Sequence, residues 1–115
     1  MMKLNILEDC KDIMDVIFKL ASDNTKFDYN LNNQLIRSGL SIGSNISEGS
    51  QRIGKDRTHY FNIALGSLEE ARFQLYCYPN FKINEELNDK MDKIRATILK
   101  LKSSSSSSSS SSSLK

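Results

Sequence analysis

Apolar residues recur at steps of three and four along most of the chain, the spacing that places side chains on one face of an α-helix. Four such stripes predict helices over about residues 4–21, 31–49, 55–77 and 84–102. Each stripe supplies core positions, which are Ile6, Cys10, Ile13, Ile17 and Leu20, then Leu31, Leu35, Ile42 and Ile46, then Phe61, Ala64, Leu65, Leu68, Ala71 and Leu75, and finally Leu87, Met91, Ile94, Ile98 and Leu101. Short connections between four helices favour an all-α, antiparallel up-down-up-down four-helix bundle.

The predicted helix ends carry the residues that commonly stop or start helices. Residues 22–30 are rich in Asp and Asn, which compete locally for backbone hydrogen bonds and favour a turn. The stretch 49–54 opens and closes with glycine, and Pro79 follows the third stripe. Asn84 precedes two glutamates, as at a capped helix N-terminus.

Polarity in the second helix is sorted into three sides. At 100° per residue, its four core residues fall within about 60° of one another. A polar arc of about 80° holds Gln34, Arg37, Ser41, Asn45 and Glu48, and the third side holds Ile36, Leu40, Gly43 and Ser47. Apolar or small groups therefore occupy more of the circumference than a helix with one buried face needs.

Gly39 and Gly43 lie inside this helix, where each is unfavourable by roughly 1 kcal/mol relative to alanine. Close approach by another helix would offset that cost. One interpretation is a solvated polar arc with neutral glycines. The other is a helix buried on two sides, once by its own bundle and once by a neighbouring subunit, with oligomer contacts from Gln34, Ser41, Asn45 and Glu48.

Length and composition fit one domain of about 100 residues followed by a serine run. The 115 residues are 38% hydrophobic and 26% charged, with a formal charge of +2. No segment has the length and apolarity of a signal peptide or membrane span, so we expect a cytoplasmic protein with no membrane partner. Cys10 and Cys77 are expected to be free, buried thiols. Residues 103–113 are either a disordered tail or an extension of the fourth helix.

The residues offer little for catalysis. The run Gly39-Leu40-Ser41-Ile42-Gly43 matches the nucleophile-elbow pattern, but that pattern needs a preceding strand and the segment here reads as helix. His59 is the single histidine, and the two cysteines are not paired in sequence as zinc ligands usually are. We therefore predict no enzyme activity, no metal and no cofactor.

Two clusters of basic residues suggest phosphate contacts. Arg52, Lys55 and Arg57 lie at the turn into the third helix. A second cluster in the fourth helix contains Lys93, Arg95, Lys100 and Lys102, and an alternative role for it is to complement the dipole at that helix's C-terminus. The alternative interpretation of each cluster, taken alone, is a charged surface that faces solvent and binds nothing.

Two blocks of the chain resemble a known family, the small proteins encoded in intervening sequences of bacterial 23S ribosomal RNA genes, whose relatives include the accessory variability determinant of diversity-generating retroelements. The residues that carry the resemblance are Gln34-Leu35, Arg37, Ser41-Ile42, Ser44-Asn45-Ile46, Glu48-Gly49 and Arg52, then Ile63-Ala64-Leu65-Gly66-Ser67-Leu68, Glu70 and Gln74-Leu75. The resemblance implies a four-helix bundle, a ring-shaped homo-oligomer that is a pentamer in known relatives, no established catalysis, and nucleic-acid binding by basic ring surfaces in some relatives.

The chain departs from the family pattern at three positions. Ile36 stands where the family tends to have a basic residue, Gly43 where it tends to have proline, and Arg72 where it often has an acid. Arg72 falls in an apolar arc, so it needs to reach solvent or an acidic partner, with Glu48, Glu69 or a neighbouring subunit as candidates.

Two functional hypotheses follow. The first is a non-enzymatic homo-oligomer that binds RNA or DNA through Arg37, Arg52, Lys55 and Arg57. The alternative is a protein-interaction scaffold or accessory subunit, for example of a reverse transcriptase, with no direct role in nucleic-acid binding.

Overall fold

The computed structural model describes residues 5–26 and 28–114, which form four helices. They are α1 (Asn5–Asp23), α2 (Tyr29–Ser50), α3 (Gly54–Cys77) and α4 (Glu85–Leu114). No strand occurs in this part of the chain, and the prediction of an all-α fold with four helices is confirmed. Residue 4, where the first helix was expected to begin, lies outside the described residues.

Two side chains set where helices begin. The Asp28 carboxylate accepts a hydrogen bond from the Leu31 N–H at 3.0 Å, so α2 begins at Tyr29, two residues before the expected start. The Asn84 side chain accepts one from the Leu87 N–H at 2.8 Å, which is the cap that the sequence indicated. Each satisfies an amide that has no acceptor within its own helix.

The apolar stripes of all four helices meet in one core. Its buried members are Ile6, Cys10, Ile13, Met14, Ile17, Leu35, Ile42, Ile46, Phe61, Ala64, Leu68, Ala71, Leu75, Tyr78, Leu87, Met91, Ile94 and Ile98. Most core positions read from the sequence are among them, while Leu20, Leu31, Leu65 and Leu101 are only partly buried. Burial of these side chains is the main source of stability for the fold.

Each helix packs against two others, α1 against α2 and α4, and α3 against α2 and α4. Along the seam between α2 and α3, Ser38 contacts Gln74 near one end, and Gly49 lies against Phe61 near the other. Residue numbers thus rise on one helix as they fall on the other, which is compatible with neighbours that run in opposite directions.

Several buried polar groups along these seams have hydrogen-bond partners, although the buried Arg72 Nε has none among the described residues. The Ser38 hydroxyl donates to Gln74 Oε1 at 2.6 Å, and the Ser67 hydroxyl donates to Ser41 Oγ at 2.7 Å. The Tyr78 hydroxyl lies 2.8 Å from Asn32 Oδ1. These pairs avoid the free-energy penalty of an unsatisfied buried polar group.

The structure identifies the helix that faces the interior glycines of α2. An added Cβ at Gly39 would lie 2.6 Å from Met14 Sδ and 2.7 Å from Ile17 Cδ1, and one at Gly43 would lie 3.5 Å from Cys10 Cβ. All three neighbours belong to α1 of the same chain. These glycines therefore accommodate a helix of their own bundle, and a leucine at Gly39 would disturb the core itself.

Two further residues differ from expectation. Arg72 Nη2 donates to Asp92 Oδ1 at 2.9 Å, so its acidic partner is on α4 and is neither Glu48 nor Glu69. Cys10 is buried, but Cys77 is exposed, so the expectation of two buried thiols was wrong for Cys77; both are free. At 100° per residue, Cys77 lies about 160° around the helix from the buried Leu75, on the side away from the core.

The serine run continues α4 rather than ending it. Because α4 extends to Leu114, none of Lys93, Arg95, Lys100 and Lys102 lies in its last turn. The alternative role for this cluster, complementing the C-terminal dipole of the helix, does not fit those bounds.

Candidate nucleic-acid interface

The basic residues of the 49–57 region lie where α2 gives way to α3, with Arg52 on the connection between them and Lys55 and Arg57 in the first turn of α3. The Gln51 N–H donates to the Glu48 carbonyl and the Arg52 N–H to the Gly49 carbonyl, both at 3.1 Å, which closes α2. Gly49 packs against the Phe61 ring, where an added Cβ would lie only 2.7 Å from a ring carbon. The two helices therefore approach closely just before the connection, and this fixes its position on the bundle.

Arg52 has two partners within the chain. Its Nε and Nη2 donate to Glu48 Oε2 at 2.9 Å and 2.6 Å, and its guanidinium lies 5.4 Å from the centre of the Tyr60 ring. The hydrogen bond to Glu48, together with that carboxylate's charge, raises the pKa of Arg52 above its ordinary value. Both side chains are more than two-fifths exposed, so solvent and salt weaken this pair.

Lys55 and Arg57 differ in how much of their charge is available. Lys55 is exposed and makes no ion pair with any residue in the described ranges. Arg57 is half-buried, with its guanidinium 5.1 Å from the centre of the Phe61 ring and Nη1 3.4 Å from the Ser50 carbonyl oxygen. Arg57 thus stabilises the connection between α2 and α3, while most of its N–H groups make no hydrogen bond within the described structure.

The first turn of α3 adds further donors beside these cations. The residue at its cap position is Ile53, which offers no side-chain acceptor, and the Arg57 N–H reaches the Ile53 carbonyl only at 3.4 Å. Amides of the first turn and the positive end of the helix dipole therefore face the same region as the basic side chains. Asp56 contributes the one carboxylate of this turn. The arrangement suits an anion held by several weak donors.

Arg37 does not join this group. It is exposed on α2, thirteen residues before Ser50, which corresponds to about 20 Å along the helix axis. The structure thus brings together Arg52, Lys55 and Arg57, which we call the basic loop, and leaves Arg37 apart.

The four residues expected at an oligomer contact lie along the α2–α3 side of α2. Asn45 Nδ2 donates to the Ser41 hydroxyl at 2.9 Å, and Ser41 in turn accepts from Ser67 of α3. Glu48 pairs with Arg52, while Gln34 is exposed and its backbone carbonyl accepts from Ser38. Most of this polar arc already hydrogen-bonds within one chain.

The second basic cluster is partly neutralised by other helices. Lys93 lies 3.2 Å from Asp9 of α1, and Arg95 lies 3.3 Å from Glu69 of α3. Lys100 is exposed and Lys102 half-buried. These pairs tie α4 to its neighbours, so the cluster presents less free charge than its sequence suggests.

Sequence reasoning missed the two aromatic residues that support the basic loop, Tyr60 and Phe61. Phe61 was read only as a core residue, and Tyr60 was not singled out. The available signal was an arginine followed eight residues later by a tyrosine nearly two turns inside the next helix.

Other chemistry is sparse in the part of the chain that the structure describes. His59 is exposed, with its ring centre 5.4 Å from that of Tyr60. No group of three or more His, Cys, Asp or Glu among the described residues is arranged to hold a metal ion. Nor is any described helix both long and apolar enough to cross a membrane.

Fold and site together define a small all-α protein of four helices with a basic connection between the second and third. Residues 2–104 match the family model of the 23S rRNA-intervening sequence protein, and the chain belongs to that family. No curated protein and no solved structure matches the chain.

Proposed function

We propose that this chain is a non-enzymatic, cytoplasmic, homo-oligomeric four-helix bundle that binds RNA or DNA through the basic loop. The observation that carries the binding proposal is the position of three cationic residues beside the poorly capped N-terminus of one helix, with Arg52 just before that helix and Lys55 and Arg57 in its first turn. The family's name, which refers to ribosomal RNA, supports a nucleic-acid ligand.

The proposed bundle runs up-down-up-down. Support comes from the order of the ion pairs along two seams, the one between α1 and α4 and the one between α3 and α4. Lys90 reaches Asp12 while Lys93 reaches Asp9, and Arg72 reaches Asp92 while Arg95 reaches Glu69. In both seams, a higher number on one helix goes with a lower number on its neighbour, as in antiparallel pairs.

In the proposed binding, Arg52 exchanges its carboxylate partner for a phosphate of the nucleic acid. In the unbound chain this guanidinium pairs with Glu48, and a phosphate offers the same charge and the same two-pronged geometry. Lys55 and the unused donors of Arg57 add to the contact without losing a partner. Contact with phosphates is independent of base sequence, so the proposal concerns nucleic acid as a class.

Self-association is proposed because exposed large apolar side chains occur on more than one side of the bundle, among them Leu40 and Phe73. A ring, which is the arrangement that the family resemblance implies and is a pentamer in its relatives, would repeat the basic loop around one face. Several weak sites then act together, which raises the apparent affinity for a polymeric anion.

The exposed apolar surface also favours the second candidate, a scaffold that docks another protein such as a reverse transcriptase. Either kind of protein contact would use the side-chain donors and acceptors that are not already bonded within the chain, on Gln34, Ser41, Asn45 and Glu48. This candidate predicts no retention of nucleic acid by the purified protein.

The binding proposal is tested by fluorescence anisotropy with labelled RNA and labelled duplex DNA. The variant Arg52→Glu/Lys55→Glu/Arg57→Glu should lose binding. The matched control Lys19→Glu/Lys26→Glu/Lys82→Glu makes the same change of charge at exposed positions away from the basic loop and should bind nearly as the wild type does.

Three phosphate contacts predict that affinity for duplex DNA falls about 40-fold per bound subunit between about 50 and 200 mM salt. Arg57 is half-buried, so Lys55→Glu alone provides a variant with little risk to folding. Equal binding by the loop variants and the control variant, or no binding by the wild type, would refute the proposal.

A further inference from the structure

The outer side of α3 contains a glycine that nothing within the chain explains. An added Cβ at Gly66 would have no atom of the described structure within 4 Å, whereas Gly39 and Gly49 each face a tightly packed neighbour. A glycine inside a helix is unfavourable by about 1 kcal/mol relative to alanine. At Gly66 this cost has no compensation inside the chain, so the close approach that would offset it has to come from outside.

Apolar side chains flank this glycine on the same face of the helix. Ile63 is 37% exposed and Phe73 is 64% exposed. The step of three residues from Ile63 to Gly66 and the step of seven from Gly66 to Phe73 place all three on one face of the helix. We call these three residues the α3 ridge. Two large exposed apolar groups with a small residue between them form a convex surface onto which another helix can pack closely.

A concave apolar surface lies between α1 and α2. This groove has a volume of about 380 Å³, and the residues that line it include Leu7, Met14, Phe18, Gly39, Leu40 and Gly43. Phe18 and Leu40 are nearly half exposed, which leaves much of their apolar surface in water. Gly39 and Gly43 line the groove where α1 already packs closely against them, so the apolar surface open to a partner is mainly that of Phe18 and Leu40.

The two surfaces carry opposite charges that are not paired within the chain. Glu70 lies on α3 between two residues of the α3 ridge, Gly66 and Phe73, and is exposed. Arg37 lies one turn before Leu40, beside the groove, and is also exposed. Among the described residues, no ion pair involves either of them, although the structure contains eight others.

We propose that the α3 ridge of one copy packs into the α1–α2 groove of a second copy, with Glu70 of one copy next to Arg37 of the other. The partner is a second copy because every chain carries both surfaces, which are complementary in shape and in charge. This inference rests on the proposed self-association and names the surfaces that would produce it. It also assigns Arg37 to the subunit contact, apart from the basic loop.

The geometry of this contact determines the type of assembly. Ridge and groove are different surfaces, so the contact is heterologous, and each copy keeps one unused ridge or groove until the chain of contacts closes. Closure gives a ring. A contact of ridge against ridge would instead be isologous and would stop at two copies.

Size-exclusion chromatography with light scattering on three single variants tests the proposal, in about 0.5 M NaCl so that nucleic acid does not bridge copies. Phe73→Glu alters the ridge, Leu40→Glu alters the groove, and Tyr29→Glu is the matched control at an exposed aromatic outside both surfaces. We expect the wild type and the control to assemble, and each of the other two variants to dissociate at concentrations at least about tenfold higher than the wild type does.

The mixture of the two assembly variants gives the decisive measurement. Phe73→Glu keeps an intact groove and Leu40→Glu keeps an intact ridge, so an equimolar mixture should form a complex of two chains that neither variant forms alone. A mixture that stays monomeric, with a wild type that assembles, overturns the heterologous contact. Dimers formed by Leu40→Glu alone would overturn it as well, because an isologous contact of ridge against ridge needs no groove.

Charge exchange provides a second measurement that does not depend on apolar substitutions. Arg37→Glu and Glu70→Arg should each weaken assembly, and the double variant should restore it. If the wild type assembles and all of these variants assemble equally well, the ridge and groove are not the contact. A wild type that is monomeric at micromolar concentration would instead refute the proposed self-association itself, and this contact with it.

Discussion

The inner seam between α2 and α3 and the outer side of α3 contain the same kinds of residues in opposite situations. On the seam, Gly49 faces the Phe61 ring and Ser38 donates to Gln74. On the outer side, Gly66 faces open space and Phe73 is mostly exposed. The glycine and the aromatic ring on the seam thus pack against each other within the chain, whereas Gly66 and Phe73 on the outer side are open to the proposed contact between copies.

The largest expected difference between the two regions is at their glycines. Gly49→Ala would place a methyl group 2.7–2.8 Å from two carbons of the fully buried Phe61 ring, which has no room to move away. We expect the free energy of unfolding to fall by about 1–3 kcal/mol. Urea denaturation followed by far-UV circular dichroism measures it.

The control for this prediction is Gly66→Ala, measured in the Phe73→Glu background so that self-association does not contribute. There the new methyl group meets open space, and the gain in helix propensity should raise the free energy of unfolding by up to about 1 kcal/mol. If both alanine variants changed stability in the same direction, the contrast between seam and outer side would be lost.

A smaller effect is expected for the seam's hydrogen bond. Ser38→Ala would leave the buried Gln74 amide without the hydroxyl that lies 2.6 Å from it, and an unsatisfied buried group lowers stability by about 1 kcal/mol or somewhat more. Ser44→Ala, on the exposed side of the same helix, should change it by less than about 0.5 kcal/mol. Indistinguishable urea midpoints for the two variants would argue against the buried pair.

The two cysteines also differ in exposure, and thiol labelling of the native protein at neutral pH should detect this difference without any mutation. Cys77 is exposed and should react with a thiol reagent in the native protein. Cys10 is buried, and burial, with the nearby Asp9 charge, raises its pKa from 9.0 to about 12. We expect one reactive thiol per native chain and two per unfolded chain, counted by mass spectrometry after labelling.

The raised pKa of Cys10 also predicts the direction of a pH effect. Since the folded-state pKa lies above the unfolded-state value, the stability linked to the neutral thiol is complete below pH 9 and is lost as the pH rises toward 12. Unfolding free energy should therefore fall over that range in the wild type and fall less in Cys10→Ala. A parallel decline in both proteins would show that Cys10 does not cause the effect.

Helical periodicity was sufficient to predict four helices and most of the core, because an apolar stripe determines which side of a helix is buried. It could not identify the element that faces each side. Arg72 illustrates this limit, since its partner Asp92 lies on a different helix, twenty residues away in sequence. Gly39 illustrates it as well, because the close approach that was expected there comes from α1 of the same chain.

The candidate site was predictable to a similar degree. Clustering in sequence identified Arg52, Lys55 and Arg57, and the turn between two helices keeps them together. The support from Tyr60 and the pairing of Arg52 with Glu48 depend on how α2 and α3 cross, which composition and spacing do not specify. Arg37 was grouped with the loop from its charge alone and lies well along α2.

At the end of the bundle where α1, α2 and α3 meet, Tyr78 links three segments and lies 58 and 46 residues in sequence from its two partners, Leu20 and Asn32. The Tyr78 hydroxyl lies near both Asn32 Oδ1 and the Leu20 carbonyl, and the Asn32 side chain donates to the Asn24 carbonyl. Opening the α1–α2 turn therefore requires this network to break, and with it the end of α3. The three segments form one cooperative unit of local unfolding, so their protected amides should exchange with solvent deuterium at a common rate.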